Sequence, residues 1–337
     1  MQRRNLVITV VSIISCIALS ACGGQAAPAG AKSPTIAFAQ RNFASDWWTA
    51  QTDGVRAAAK DSGVSLLESD GRGDPVVQNS LVKNFITKGA NAVILNPADP
   101  RGVTPALKAL KEANIPLIAV NSNLDPSLAE YAYCYVAEDQ VATAAGVGKE
   151  LANVLKSRSG LETPVKAVMV GGFPGEVVTD LRTKGFLQGY QSAPDAPKLK
   201  MLPTIYGQWV ADTALSALRE VATGNPDLKL IFVASDSMLP AVQSALTGLG
   251  MWDKVVIGTY DGAMSTVKYM IDHPSGPIFA DGANSPDVQG KVALDMALAA
   301  VGGKPQSEAC PGGVKYISTP LYTPKNAAQQ FKPEQKF

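Results

Sequence analysis

IAFAQRNFASDWWTAQTDGVRAAAKDSGVSLLES, Ile36–Ser69, contains a strand, a helix and a second strand in the order that decides the fold. IAFAQ (36–40) and VSLLES (64–69) are short apolar runs, whereas the stretch between them mixes apolar and polar residues at helical spacing and stops at Gly63. Two adjacent indoles, Trp47 and Trp48, stand where the first strand turns into the helix, a place normally open to water. Half of the four tryptophans are spent there, so something is expected to cover them.

The same alternation continues on both sides of that unit. AVILNP (92–97) and LIAVN (117–121) read as strands, and VVQNSLVKNFITKG (76–89) and VTPALKALKEANIP (103–116) as helices ended by Gly89 and Pro116. In the latter helix Val103, Leu107 and Leu110 share one face. After the helical stretch 139–157 and the polar break SRSGLETP, the pattern restarts. VKAVMV, MLPTIY, KLIFVAS and VVIGTY are strands, separated by EVVTDLRTKGFLQGYQ, VADTALSALREVA and MLPAVQSALTGLG as helices. One more helix is expected within SPDVQGKVALDMALAAVGG (285–303). Alternating strands and helices imply βαβ units with right-handed crossovers. The fold class is therefore α/β: two similar, doubly wound lobes with parallel sheets. Ligands of such sheets bind outside the C-terminal ends of the strands, so the cleft between two lobes is the natural site.

With 337 residues, 46% hydrophobic and 18% charged, the chain is long enough for two domains. Thirty basic residues against 29 acidic ones give no electrostatic grip on nucleic acid. Residues 1–21 have the order of a secretory signal: Arg3 and Arg4, an uncharged apolar run from Leu6 to Leu19, then small residues. Leu19-Ser20-Ala21-Cys22 resembles the lipobox of bacterial lipoproteins, which implies cleavage before Cys22 and a lipid on its thiol. Gly23–Pro34 is small, Pro-containing and aperiodic, and residues 22–34 read as a flexible tether. Together these place the body at the outer face of the cytoplasmic membrane. Cys16 leaves with the signal and Cys22 is lipidated, so Cys134 and Cys310 remain as an even pair in an oxidising compartment. They are expected to form a disulfide that pins the hinge region, the alternative being two buried free thiols.

TIAFAQRNFASDWWTAQTDGVRAAAKDSG, GANAVILNPADP, ANIPLIAVNSN, NPDLKLIFVASDSM and VVIGTYDG resemble the ribose-type periplasmic sugar-binding proteins, the receptor subunits of ABC importers. The resemblance runs from about Thr35 to about Tyr322. It implies a type I periplasmic-binding-protein fold with three hinge crossovers, in which a small ligand is trapped as the lobes close. The expected boundaries are 35–137 plus 282–312 for lobe 1, 138–281 plus 313–322 for lobe 2, and 323–337 as a C-terminal tail.

The resemblance also implies site residues. Trp47 and Trp48 occupy the positions of the family's two ligand-stacking aromatics. Neighbours on a helix do not share a face, so one indole is expected on the ligand and the other against the lobe. Asn121 and Ser122 stand where a relative often has Asp-Arg, and Trp209 where an aromatic packs from the other side. Asp236, Asp261 and Asp281 match acidic positions, and Ser235 one that commonly holds Asn. In VVTDLRTKGF, Asp180 and Arg182 straddle the place of a ligand-binding Arg, with Asp180 the register match. Arg41, beside Gln40, and Asp46 complete the set, Asp46 being equally readable as the helix N-cap. Turn formation by Asp261, helix capping by Ser235 and Asp236, and core packing by Trp209 are the competing structural roles.

This set is richer in carboxylates than in arginines, which fits a sugar or polyol that supplies donors and, second, an amine-bearing molecule. Enzyme readings lack a motif: GGFPGE, Gly171–Glu176, has no third glycine, and the single His273 supports neither a His-based triad nor a His-rich metal site. No cofactor and no metal are expected. The expected partners are the small ligand, an ABC transporter permease or alternatively a signalling protein, and the membrane through Cys22, with the protein a monomer.

Overall fold

The computed structural model describes residues 33–158, 161 and 163–337. The signal segment, Cys22 and all of the tether except Ser33 and Pro34 lie outside the described residues.

Two sheets organise the chain. The first takes β1 (Thr35–Gln40), β2 (Ser65–Asp70), β3 (Ala92–Leu95), β4 (Leu117–Val120), β5 (Cys134–Glu138) and, from far along the chain, β12 (Val314–Ile317). Their order is β12-β5-β4-β3-β1-β2 and every pairing is parallel. The second sheet holds β6 (Val165–Gly171), β7 (Leu199–Met201), β8 (Ile205–Tyr206), β9 (Leu230–Val233), β10 (Val256–Asp261), β11 (Ile278–Ala283) and β13 (Leu321–Tyr322). It runs β13-β11-β10-β9-β6-β7 with β8 also on β6, and only β13 is antiparallel to its neighbour. MLPTIY, read as one strand, is split into the end of β7 and β8. Pro203 lacks the N–H that would continue the ladder between them.

Helices cover both faces of each sheet. Lobe 1 carries α1 (Asp46–Asp61), α2 (Pro75–Thr87), α3 (Thr104–Glu112), α9 (Pro286–Val301) and the short α10 (Gln306–Ala309). Lobe 2 carries α4 (Gln140–Lys156), α5 (Val177–Ser192), α6 (Ala211–Thr223), α7 (Leu239–Gly248), α8 (Met264–Asp272) and the short α11 (Ala327–Gln330). Side chains of β1 alternate, with Ile36 and Phe38 facing the α1 and α9 side and Ala37 and Ala39 the α2 and α3 side. Ser45 caps α1, its hydroxyl accepting from Trp48 N at 3.4 Å, and Asp139 caps α4 by accepting from Ala142 N at 3.0 Å.

Among the described residues three crossings join the lobes: Glu138–Gln140, Ala283–Pro286 and Ile317–Leu321. The last differs from the expected boundary. Val314–Ile317 pairs with β5, so the chain stays in lobe 1 until Ile317, and β11 keeps residues up to 283 in lobe 2.

Two seams hold the helices that leave the crossings. α9, which follows the second, lies along α1, where a methyl group on Gly54 would strike the backbone of Asp287 and one on Gly290 that of Gln51. α4, which follows the first, lies along α5, with Gly148, Gly185 and Gly189 against the backbones of Phe186, Val141 and Ala145. At both seams backbone meets backbone.

Cys134 and Cys310 are bonded to one another. The bond does not pin a hinge. Cys134 begins β5, at the end opposite Glu138 and the crossing, and both sulfurs are buried in lobe 1 beside Ile118, Val136 and Leu294.

Candidate ligand-binding site

Parallel strands of both lobes point their C-terminal ends at one cleft, and the residues just beyond those ends line a small chamber there. From lobe 1 come Arg41 after β1, Trp47 and Trp48 in the first turn of α1, and Asn121 and Ser122 after β4. From lobe 2 come Glu176 and Arg182 around the start of α5, Trp209 after β8, and Ser235 and Asp261 from the ends of β9 and β10. Asn284, on the second crossing, lies between the two sets.

The indoles are covered by one another's lobes: Trp47, Trp48 and Trp209 are 6%, 8% and 8% exposed. Both Trp47 and Trp48 border the chamber, contrary to the expectation that one would pack away from it. They occupy the first turn, where the helix points its end at the cleft, so the facing rule for mid-helix neighbours does not separate them. Trp47 is fixed by its indole N–H, which donates to Asn284 O at 3.1 Å. Trp209 enters from the opposite wall on an unusual backbone, with Gln208 and Trp209 at φ +54° and +61°. Such left-handed residues cost about 1 kcal/mol or more each, and they recur at the cleft in Asn121 (φ +61°) and Asp261 (φ +113°). Gly172 makes room for that ring, since a methyl group there would overlap the indole.

Charges around the chamber are paired. Arg41 Nη1 meets Glu176 Oε1 at 2.6 Å, joining lobe 1 to lobe 2 with both side chains about one-tenth exposed. The same guanidinium lies between Trp48 and Phe173, at 5.9 and 5.7 Å from their ring centroids, and Glu176 Oε2 accepts from Trp209 Nε1 at 2.8 Å. Arg182 donates to Asp261 Oδ1 at 3.0 Å, to Ala234 O at 2.5 Å and to Gln140 Oε1 at 3.1 Å, and rests 3.8 Å from the centroid of Tyr260. Glu138 stands behind it at 3.9 Å, held by Tyr260 Oη and Gln289 Nε2. Burial pushes the carboxyls of Glu138 and Asp261 above their ordinary range, with Arg182 pulling both back.

Two buried polar atoms on the chamber's lobe 1 side, Asn121 Oδ1 and Ser122 Oγ, have no partner among the described residues. A buried polar atom without a partner costs about 1–3 kcal/mol, so a hydroxyl-bearing guest would recover that loss.

Four expected contacts lie elsewhere. Asp180 is exposed on the outer face of α5; two residues on, about 200° around the helix, Arg182 is the one that turns inward. Asp46 is exposed and paired with Lys336, and Ser45 rather than Asp46 caps the helix. Asp236 and Asp281 are buried outside the chamber lining: Asp236 accepts from Thr259 Oγ1 at 2.6 Å and Ala263 N at 2.7 Å, and Asp281 from Gly262 N at 3.0 Å. Glu176 and Asn284 went unassigned. Glu176 was findable as the residue that opens the first helix after the first strand of lobe 2, the counterpart of the Trp47–Trp48 position. The chamber thus has two guanidinium groups and two carboxylates, not an excess of acid.

Asp236 and Asp281 are both buried carboxyls held above their ordinary range. Burial and the nearby charge of Asp261 push Asp236 up to about 7, and burial with the charge of Asp236 holds Asp281 well above the carboxylate range. The folded protein therefore binds protons here that the unfolded chain has released, and stability falls as pH rises from about 4 through about 7, with Asp281 extending the loss to higher pH. The variant Asp236→Asn is expected to gain melting temperature relative to the wild type across that window. A constant difference between the two from pH 4 to pH 8 would contradict the raised Asp236 carboxyl.

The sequence matches the periplasmic binding protein domain over residues 36–305. The chain belongs to that family. This periplasmic binding protein is 25% identical to the ribose import binding protein of Escherichia coli (strain K12) over 308 residues, 91% of this chain and 97% of the relative. It is 24% identical over 321 residues to the corresponding protein of Bacillus subtilis (strain 168), 93% and 97% of the two chains. Among solved structures, an ABC transporter solute binding protein from Mycobacterium smegmatis with bound glycerol superposes with a TM-score of 0.80 at 26% identity, covering 90% of this chain and 99% of that one.

Proposed function

We propose that this periplasmic binding protein is an extracytoplasmic lipoprotein that captures a small neutral sugar or sugar alcohol between its lobes and delivers it to an ABC importer. It acts by binding rather than by catalysis, as a monomer held to the membrane through Cys22 and the tether that follows. The observation that carries the reading is the composition of the chamber. Three indoles present apolar faces for C–H groups, two pre-paired Arg–carboxylate units balance in charge, and Asn121 and Ser122 offer unpartnered polar atoms. A charged ligand would have to break one of those pairs. The balance removes the argument for an amine-bearing ligand, which depended on an acidic surplus. The ribose import relatives and the glycerol-bound solute binding protein support the choice of ligand class.

Closure follows from the same geometry. A ligand resting on lobe 1 meets Trp47, Trp48 and Asn121. Only the closed state adds Trp209, Arg182 and Asp261 and forms the Arg41–Glu176 pair, so ligand selects that state.

The test is thermal shift of residues 23–337 against aldoses, polyols, amino sugars and small amines, with Trp209→Ala in parallel. A ligand at a hundred times its Kd adds about 2.7 kcal/mol of stability. The expected result is a rise with a neutral polyol or aldose and at least tenfold weaker binding in Trp209→Ala, about 1.4 kcal/mol. Shifts with amines alone would overturn the ligand class. For the anchor, Cys22→Ala is expected to release the protein from the membrane fraction, and retention there would refute lipidation at Cys22.

A further inference from the structure

Beside the chamber lies a second, larger cavity, and Trp47 and Trp209 line both. This vestibule is lined in part by Phe331, Pro333, Gln335, Lys336 and Phe337, from the stretch that follows α11. The segment has no regular structure beyond a turn at Lys332–Gln335. It is fastened to lobe 2 at Met264, whose N–H donates to Lys336 O at 2.8 Å and whose sulfur accepts from Lys332 N at 3.4 Å. Phe331 and Phe337 pack against the apolar cluster of lobe 2. Lys336 Nζ reaches the other lobe and meets Asp46 Oδ1 at 3.4 Å, at the start of the helix that carries Trp47 and Trp48.

We infer that Phe331–Phe337 is a gate: hinged on lobe 2 at Met264 and latched to lobe 1 through Lys336 and Asp46, it controls passage from solvent to the tryptophan-lined chamber. The inference rests on the chamber being the ligand site. Its parts have the strengths a gate needs. The latch is an exposed ion pair, 63% and 80% exposed, of the kind that shifts an opening equilibrium by up to about fivefold rather than locking it. The fastening on lobe 2 is short and irregular, as expected of a low-stability unit that opens without global unfolding. Its position couples it to closure, since Asp46 and Met264 belong to different lobes and separate when the cleft opens.

The experiment needs no ligand, so its outcome is independent of whether sugars bind. Acrylamide quenching of tryptophan fluorescence would be measured in the wild type, in Phe331→Ser/Phe337→Ser, in Lys336→Glu and in the charge swap Asp46→Lys/Lys336→Glu. The expected result is a quenching constant at least doubled in the double Phe variant, raised in Lys336→Glu, and returned toward the wild-type value by the swap. Wild-type quenching in a folded double Phe variant would overturn the gate. If that variant fails to fold, the exposed Lys336→Glu substitution decides, and unchanged quenching there, or a rise that the swap does not reverse, would overturn it equally.

Discussion

Replacing Arg182 with Ala is expected to lower the melting temperature at neutral pH by on the order of 10 °C and to abolish ligand capture. Its guanidinium side chain is 4% exposed and stands between Asp261 and Glu138, both buried. Removing one partner of a buried ion pair costs about 3–5 kcal/mol, chiefly because the remaining charge is left without water or a counter-charge. Here two carboxylates are orphaned at once, along with the carbonyl of Ala234 and the amide oxygen of Gln140. Lys at the same place keeps the charge but loses the fork that serves these partners together, so Arg182→Lys is expected to fall between the two. The pH dependence separates this mechanism from simple loss of packing. Burial already holds Glu138 and Asp261 above the usual carboxylate range, and without Arg182 they rise further. Lowering the pH protonates them and relieves the penalty, so the gap between Arg182→Ala and the wild type should narrow in acid. A melting temperature within 2 °C of the wild type at pH 7 would mean that the network does not depend on its cation.

The second large effect concerns the Cys134–Cys310 bond. It closes a loop with a sequence separation of 176 residues, and loops of that length restrict the unfolded chain strongly. Removing the bond by Cys134→Ala/Cys310→Ala is expected to cost about 2–5 kcal/mol. The bond staples the segment following α9 to the start of β5 inside lobe 1, away from the cleft. Ligand affinity below the melting transition should therefore stay within about twofold of the wild type, since no chamber residue moves. A variant equally stable, or one that binds much more weakly while folded, would contradict this placement. The contrast with Arg182 is useful: one substitution removes stability and binding together, the other stability alone.

Most strands of both lobes were legible because they are short apolar runs bounded by Gly, Pro or polar residues, and because the pattern occurs twice, but β5 and β11, which lead into the first two crossings, were not read. The third crossing was not legible either. VKYI, Val314–Ile317, is a half-exposed edge strand whose lobe is decided by pairing with β5, more than 170 residues earlier, and nothing local encodes that choice. Within the site, residues directly after strand ends were readable, since Trp47, Trp48, Asn121 and Trp209 need only the topology to be placed at the cleft. Positions inside α5 were harder. An error of two residues there exchanges an exposed Asp180 for a buried Arg182, and the weak amphipathic character of that helix leaves the register undetermined. Asp236 and Asp281 were drawn to the ligand by their position at strand ends. The structure instead gives Asp236 the hydroxyl of Thr259 and the N–H of Ala263, and Asp281 Oδ1 the N–H of Gly262, partners that no sequence pattern distinguishes from a ligand hydroxyl.

The glycine seams between α1 and α9 and between α4 and α5 make each lobe a stiff lever. α9 and α4 start at the crossings, while α1 carries Trp47 and Trp48 and α5 carries Arg182. Where two backbones touch, no intervening side chain can change rotamer and absorb displacement. A few degrees of rotation at Glu138–Gln140 or Ala283–Pro286 must therefore arrive undiminished at the indoles and the guanidinium. In the same way, force applied at the ligand reaches the crossings without slack, so this receptor reports occupancy through its skeleton rather than through its side chains.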